Sequence, residues 1–397
     1  MSLHLMLQSL KRRKVVTALL LLQLTMTLAL LLNAMMLASQ THASLNEPTG
    51  LALDNILQIQ LKPTTPALRK YPALGDLLER QLAGVRTVPG VVAAAYSNQG
   101  PLLQGGNNGN VFKVGEQDRT NLSSVPMYFV SADFFRVLGL TLQNGELPVS
   151  PTLLDGPVQA PVVLTQHLAE QLFAGENPVG QAVNRGPVAA VVSNFYGQRT
   201  AEHVFNNVMQ VAPLYGVDWG YSLLVRLDTG TAGTVRQQLE KVLREVDSNI
   251  EIFYVRSLAE QHHRLYRTEF GLAVLLTLLA GLMLLVTMIS SYSNAHFHAL
   301  KSQQEIGIKR ALGASQAEIF IELLGESWLC TLFGAGFGVL VAVALNKLLA
   351  TVIVIPAIPL WLPLLALAVL MCCVTLATWY PATIATRVSP ATATKTL

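Results

Sequence analysis

Four long apolar stretches mark the chain, at residues 15–37, 268–291, 319–345 and 361–380. A bilayer core is about 30 Å thick, so a crossing helix needs roughly 20 apolar residues. All four stretches satisfy that length and predict transmembrane helices. Between the first two lies a region, 38–267, with a different pattern. Short β-branched runs predict strands at 56–61, 90–96, 160–165, 187–193, 221–227 and 250–255. Amphipathic runs between them predict helices at 74–84, 131–139, 165–173 and 233–246. Strands alternating with helices define a mixed α/β domain, and the region is long enough for its own core, as one or two subdomains. "QGGNNGN" (104–110) and "LPVSPTLLDGP" (147–157) read as loops. The expected fold is an α-helical membrane protein of four crossings, with a large mixed α/β domain between helices one and two.

Charge sets the orientation. Lys11, Arg12, Arg13 and Lys14 precede the first stretch, and basic residues favour the cytoplasmic side. The large region then falls outside. Segment 292–318 returns inside with Lys301, Lys309 and Arg310, loop 346–360 is short and outer, and tail 381–397 is inside with Arg387 and Lys395. The first stretch exceeds the roughly 7–15 residues of a cleavable signal region and reads as a retained anchor. Within residues 1–14, Leu3, Met6, Leu7 and Leu10 recur at helical spacing. They fit an amphipathic helix on the cytoplasmic face or an early turn of the anchor.

Composition agrees with membrane residence. The chain has 397 residues, 51% of them hydrophobic and 13% charged, the latter about half the share usual in soluble domains. A net charge of +3 gives no basis for nucleic-acid binding. The three cysteines, Cys330, Cys372 and Cys373, all lie in apolar segments and suggest no disulfide framework.

The sequence contains no G-x-S-x-G, H-E-x-x-H or C-x-x-C, and no G-x-x-x-x-G-K-[ST] phosphate-binding loop. His262 and His263 are adjacent on a helical run, about 100° apart, and so are poorly placed to share a metal. His296 and His298 have no acidic or cysteine cluster beside them in the sequence. No metal or cofactor is expected in this chain. If it does work, another chain supplies the energy. Gly334 and Gly338 form a G-x-x-x-G pattern that allows close helix packing, within the chain or at a dimer seam. Glu322 and Glu326, one turn apart near the start of the third crossing, read as interfacial anchors in preference to a proton path.

The polar stretch "QEIGIKRALGAS" (304–315) carries the most specific signal. It resembles the cytoplasmic signature of FtsX-like and MacB-type ABC transporter permeases, E-I-G-I-R-R-A-L-G-A. Glu305, Ile306, Gly307, Ile308, Arg310, Ala311, Leu312, Gly313 and Ala314 match it, and Lys309 replaces the commoner Arg. The resemblance extends to the glycine-rich third crossing and to the ending, through Tyr380, Pro381, Ala382, Ala385, Pro390 and Ala393. It also covers "VSADFFRVLGLTLQNGE" and "VVLTQHLAEQLFAGENPVGQAV" in the large region, which are similar to the periplasmic core domain of MacB-type permeases.

The resemblance implies a dimeric permease in a bacterial inner membrane, with its large domain in the periplasm. Such permeases couple ATP hydrolysis by a cytoplasmic ATPase to motion of that domain. Because the sequence starts close to its first helix, a separate ATPase is expected, binding the ATP and Mg. Residues 305–313 are then the contact with that ATPase. Ile306, Ile308 and Leu312 would form an apolar patch, and Lys309 and Arg310 would pair with partner acids or lipid headgroups. Gly307 would allow close approach, and Gly313 would cap a short helix. Efflux of a peptide, antibiotic or other periplasmic substrate is the leading expectation, with a periplasmic adaptor and outer-membrane channel as possible partners. Lipoprotein release and regulation of a cell-envelope hydrolase are the alternatives. The second permease of the dimer is an identical or a related copy.

Overall fold

The computed structural model describes residues 14–150, 160–230, 232–349, 359 and 361–387. The N-terminal segment 1–13, most of the loop between the third and fourth long helices, and the tail beyond Arg387 lie outside the described residues, as does part of the Pro-rich stretch. In chain order, α1 (Lys14–Asn46) leads into β1 (Ile56–Pro63), α2 (Ala73–Arg86), β2 (Val91–Ser97), β3 (Asn108–Val111) and β4 (Leu122–Val130). Next come α3 (Phe134–Leu138), β5 (Leu142–Gly145), β6 (Val162–Thr165), α4 (Gln166–Phe173), β7 (Ala182–Val183), β8 (Gly186–Val192) and β9 (Val208–Val211). The remainder is β10 (Tyr221–Leu227), α5 (Ala232–Val246), β11 (Ile250–Ser257), α6 (Leu258–Leu265), α7 (Arg267–Lys301), α8 (Gln303–Ala311), α9 (Gln316–Leu349) and α10 (Trp361–Thr386). These elements form two compact units, one holding α1 and α7–α10 and the other Glu47–Tyr266.

In the helical unit, α1, α7, α9 and α10 are long and apolar enough to cross a membrane. Helix α1 packs against all three others. Its buried Leu24, Leu28 and Leu32 meet small residues of its neighbours, including Ala335, Ala342 and Ala366. Small side chains let backbones approach, which replaces the hydrophobic drive that lipid cannot supply. Polar side chains on these helices pair inward. The hydroxyls of Thr27 and Thr287 lie 2.9 Å apart, and Asn33 Nδ2 donates to Ala342 O at 3.4 Å. By contrast Leu278, Leu282, Leu285 and Ile289 of α7 are exposed.

In the other unit, nine strands run in one sheet in the order β11-β1-β10-β2-β4-β9-β6-β8-β5, with β3 added to β4 and β7 to β8. Two separate cores lie on it. In the first lobe, β11, β1, β10 and β2 are antiparallel. Helix α2 buries Leu74, Leu77, Leu78, Leu82 and Val85, the i, i+3, i+4 stripe of an amphipathic helix, and α5 adds Val235, Leu239 and Leu243. The second lobe is mixed, since β4–β9 and β6–β8 run parallel. Its core joins Val125, Val162, Leu164 and Val208 to Leu168, Leu172 and Phe173 of α4.

The lobes meet where β2 and β4 share one register pair, Ser97 with Val130. Side chains reinforce this thin joint. Ser131 Oγ accepts from Tyr96 N at 3.1 Å, and Asn98 Oδ1 accepts from Phe129 N at 3.0 Å. Helix α3 reaches back to pack on β2 and β10, and Arg226 Nε donates to Val137 O at 2.8 Å.

Candidate functional site

The stretch 304–315 folds into α8 and the turn after it. Helix α7 continues unbroken to Lys301, so much of the segment expected to be loop is helix. Ser302 stands at the N-cap of α8, and its carbonyl accepts from Ile306 N at 2.9 Å. At the other end Gly313 N donates to Arg310 O at 3.1 Å and Ala314 N to Lys309 O at 3.0 Å. This paired closure requires a left-handed residue, which Gly313 supplies at φ +100°. Two residues later α9 starts with a capping box. Glu318 N donates to Ser315 Oγ at 3.2 Å, and Ser315 N to Glu318 Oε2 at 2.9 Å. The turn is therefore fixed from both sides.

The expected apolar patch divides in two. Ile306 and Gly307 are buried, and Ile306 joins Ala299, Ile319 and Ala385 in a small core with Leu323 beside it. Ile308 and Leu312 point away, 56% and 84% exposed. Spaced i and i+4, they make an outward apolar ridge, flanked by exposed Glu305, Ala311 and Gly313.

The two cations are engaged inside the chain. Lys309 Nζ lies 2.7 Å from Glu322 Oε1 of α9. Arg310 Nη1 donates to Thr386 O at 2.8 Å, at the end of α10, where helix carbonyls lack partners and the dipole favours a cation. The half-exposed lysine pair adds at most about 1 kcal/mol. Its value is positional: with Ile306 it fixes α8 to α9 and α10 and so presents the ridge.

Sequence reading missed one constellation and misjudged a histidine. His298 has an acid beside it in space: its Nε2 is 2.9 Å from Glu326 Oε2, across from α7 to α9. Its Nδ1 is 2.8 Å from Ser302 Oγ. Glu326 and Ser302 are thus linked through one imidazole, and the cap of α8 is tied to the third crossing. His298 and Glu326 border a cavity of about 50 Å³ that all four long helices line, through residues such as Thr17, Ser291, Glu326 and Thr378. That is room for a few waters beside polar partners. Gly334 and Gly338 sit against α1. A Cβ at either would crowd the Cβ of Leu24 or Leu28, and Thr25 Oγ1 donates to Gly334 O at 3.1 Å.

In the large domain, no group of three or more metal-ligating side chains gathers among the described residues. His262 turns inward towards Tyr196 and Tyr266. Burial, and secondarily His263, holds it below the ordinary histidine range. His203 stacks on His167 with ring centroids 3.7 Å apart and is lowered by burial and then by His167.

Four helices long enough to cross a membrane, with an α/β domain inserted in the chain between the first and second, define the class of a multi-span membrane protein. Comparison with known proteins places it further. The MacB-like periplasmic core domain matches residues 17–242, and the FtsX-like permease C-terminal domain matches residues 277–390. The chain belongs to the MacB-type family of ABC transporter permeases, as an inner-membrane protein with a periplasmic domain. It is 26% identical over 275 residues to the macrolide export ATP-binding/permease protein MacB of Salmonella typhimurium, covering 66% of this chain and 42% of that protein. It is 25% identical over 241 residues to its counterpart in Acinetobacter baylyi, covering 58% and 36%. The chain thus spans less than half the length of these relatives. The periplasmic region of MacB from Actinobacillus actinomycetemcomitans superposes with a TM-score of 0.35 at 17% identity, covering 54% of this chain and 94% of that structure.

Proposed function

We propose that this permease subunit couples ATP hydrolysis by a separate cytoplasmic ABC ATPase to motion of its periplasmic domain, and that the motion drives efflux of a peptide, antibiotic or other periplasmic substrate. The observation that carries the reading is the outward ridge of Ile308 and Leu312 on a helix anchored at both ends. A soluble motor can grip such a ridge, and the anchors at Glu322, Thr386 and His298 pass the load to three long helices. ATP and Mg binding is assigned to the ATPase because these 397 residues hold no phosphate-binding loop. Similarity to a macrolide exporter favours efflux over lipoprotein release or hydrolase control. The same reading assigns a second permease copy, identical or related, and for export across two membranes an adaptor and an outer-membrane channel.

The test is co-purification with ABC ATPases of the same genome. The wild-type chain should capture one of them. Leu312→Glu should abolish that complex while leaving folding intact, because the side chain is 84% exposed. Capture that survives both Leu312→Glu and Ile308→Glu would refute the reading.

A further inference from the structure

The large domain receives the chain from α1 at Glu47 and returns it to α7 after Tyr266. Both connections converge on one short segment of the second lobe, Asn194–Arg199. On the incoming side, Tyr196 N donates to Thr49 O at 2.9 Å. Gly50 follows at φ +73°, so close that a Cβ there would collide with Asn194 O. On the outgoing side, the hydroxyls of Tyr196 and Tyr266 are 3.1 Å apart. Arg199 Nη1 donates to Leu265 O at 3.3 Å, and its guanidinium lies 4.8 Å from the Tyr266 ring centroid. Gln261 of α6 donates to Leu102 O at 3.3 Å, and Leu102 and Leu103 in turn donate to the carbonyls of Tyr196 and Gly197. Tyr196, Tyr266 and Gln261 are all buried.

These contacts have a topological meaning. Strands β1 and β11, which continue the two connections, belong to the first lobe. The second lobe joins the first through a single ladder pair, the polar bonds beside it and the packing of α3. Asn194–Arg199 is the one segment that meets both connections in the contacts above, and Leu102, which Gln261 reaches, is itself held by Tyr196. We propose that Asn194–Arg199 is a clasp that fastens the second lobe to both connections, with Tyr196 and Arg199 as its positioning residues. Displacement of Leu265–Tyr266 then moves the second lobe directly, not through the thin β2–β4 joint. This rests on the reading that the chain works by moving its periplasmic domain.

The experiment is hydrogen exchange on the full chain in lipid nanodiscs, comparing wild type, Arg199→Lys and the double variant Tyr196→Phe/Arg199→Ala. Removing a buried hydroxyl pair together with an arginine contact should speed exchange of the α6 amides and of Leu102–Leu103 roughly tenfold or more, while β1 and β10 stay protected. Arg199→Lys, which keeps a cation near the Tyr266 ring, should lie between. Unchanged exchange in α6, or a uniform rise across the domain, would overturn the clasp. A second arm adds the ATPase captured by the wild-type chain. ATP should alter exchange in β6 and β8 of the wild type and lose that effect in the double variant. Persistence of the effect in the variant overturns the clasp and leaves the functional reading intact. Absence of any ATP effect in the wild type removes the functional reading, and the first arm still decides whether the clasp holds.

Discussion

The two lobes of the large domain are built from similar material and organised differently. In the first, four antiparallel strands are covered by two amphipathic helices, and the core is almost wholly aliphatic. The second covers a mixed sheet with one short helix. At its edge Tyr128, Phe134 and Phe195 pack within 6.4 Å of one another. The first lobe therefore draws its stability from layers. The second depends more on particular polar fastenings, such as Asn207 Nδ2 donating to Phe195 O at 2.8 Å. A layered lobe resists deformation as a whole, whereas a fastened one can shift as a body when its fastenings are pulled.

Core truncations should test this most strongly. Ile59 and Leu164 are fully buried, one in each lobe. Changing either to Ala should cost about 2–5 kcal/mol. Hydrogen exchange should show the loss concentrated in the lobe that carries the change, and equal deprotection of both lobes by either variant would erase the distinction between them. A smaller effect is expected at the joint. Ser131→Ala leaves the buried Tyr96 N without its acceptor and should cost about 1–3 kcal/mol. It should also split a single calorimetric transition into two; one sharp transition at lower temperature would mean the lobes do not separate there.

The smallest effect concerns pH. Burial holds His262 and His203 below the ordinary histidine value when the chain is folded. As pH falls through about 6.5 the unfolded chain takes up protons first. Stability contributed by the neutral rings is therefore complete above that pH and fades below it. Melting temperature should drop on acidification in the wild type and drop less in His262→Gln/His203→Gln. An equal drop in the double variant would assign the acid sensitivity to other groups.

Much of this architecture is legible in the sequence, and the exceptions have physical causes. Long apolar runs and amphipathic stripes such as Leu74–Val85 are local signals, so the crossings and most domain helices can be read directly. Strand β4 could not, because "LSSVPMYFV" contains two serines and a proline and does not alternate cleanly. Strand β9, "VMQV", is only four residues long. That all these strands form one sheet with parallel pairs is a matter of long-range register, which periodicity does not encode. The same limit applied to α8. Its resemblance to a known signature marked the right residues. Which of them turn inward depended on Glu322, Glu326 and Thr386, which lie on α9 and α10. His298 seemed isolated for the same reason: its acid is 28 positions away along the chain.

Strand β1 also has a history during synthesis. Its two sheet neighbours, β10 and β11, begin at Tyr221 and Ile250, long after β1 ends at Pro63. At a translation rate of about 5–20 residues per second, β1 waits roughly 10–40 s for its last neighbour. Until β10 emerges both edges of β1 are open, one stays open until β11 follows, and an open apolar strand is a template for wrong pairing. The second lobe, contained within residues 108–211, can close while the first still waits. The ribosome therefore delivers the domain from the middle outward, and a holdase that shields "ILQIQL" on the nascent chain would protect its most exposed moment.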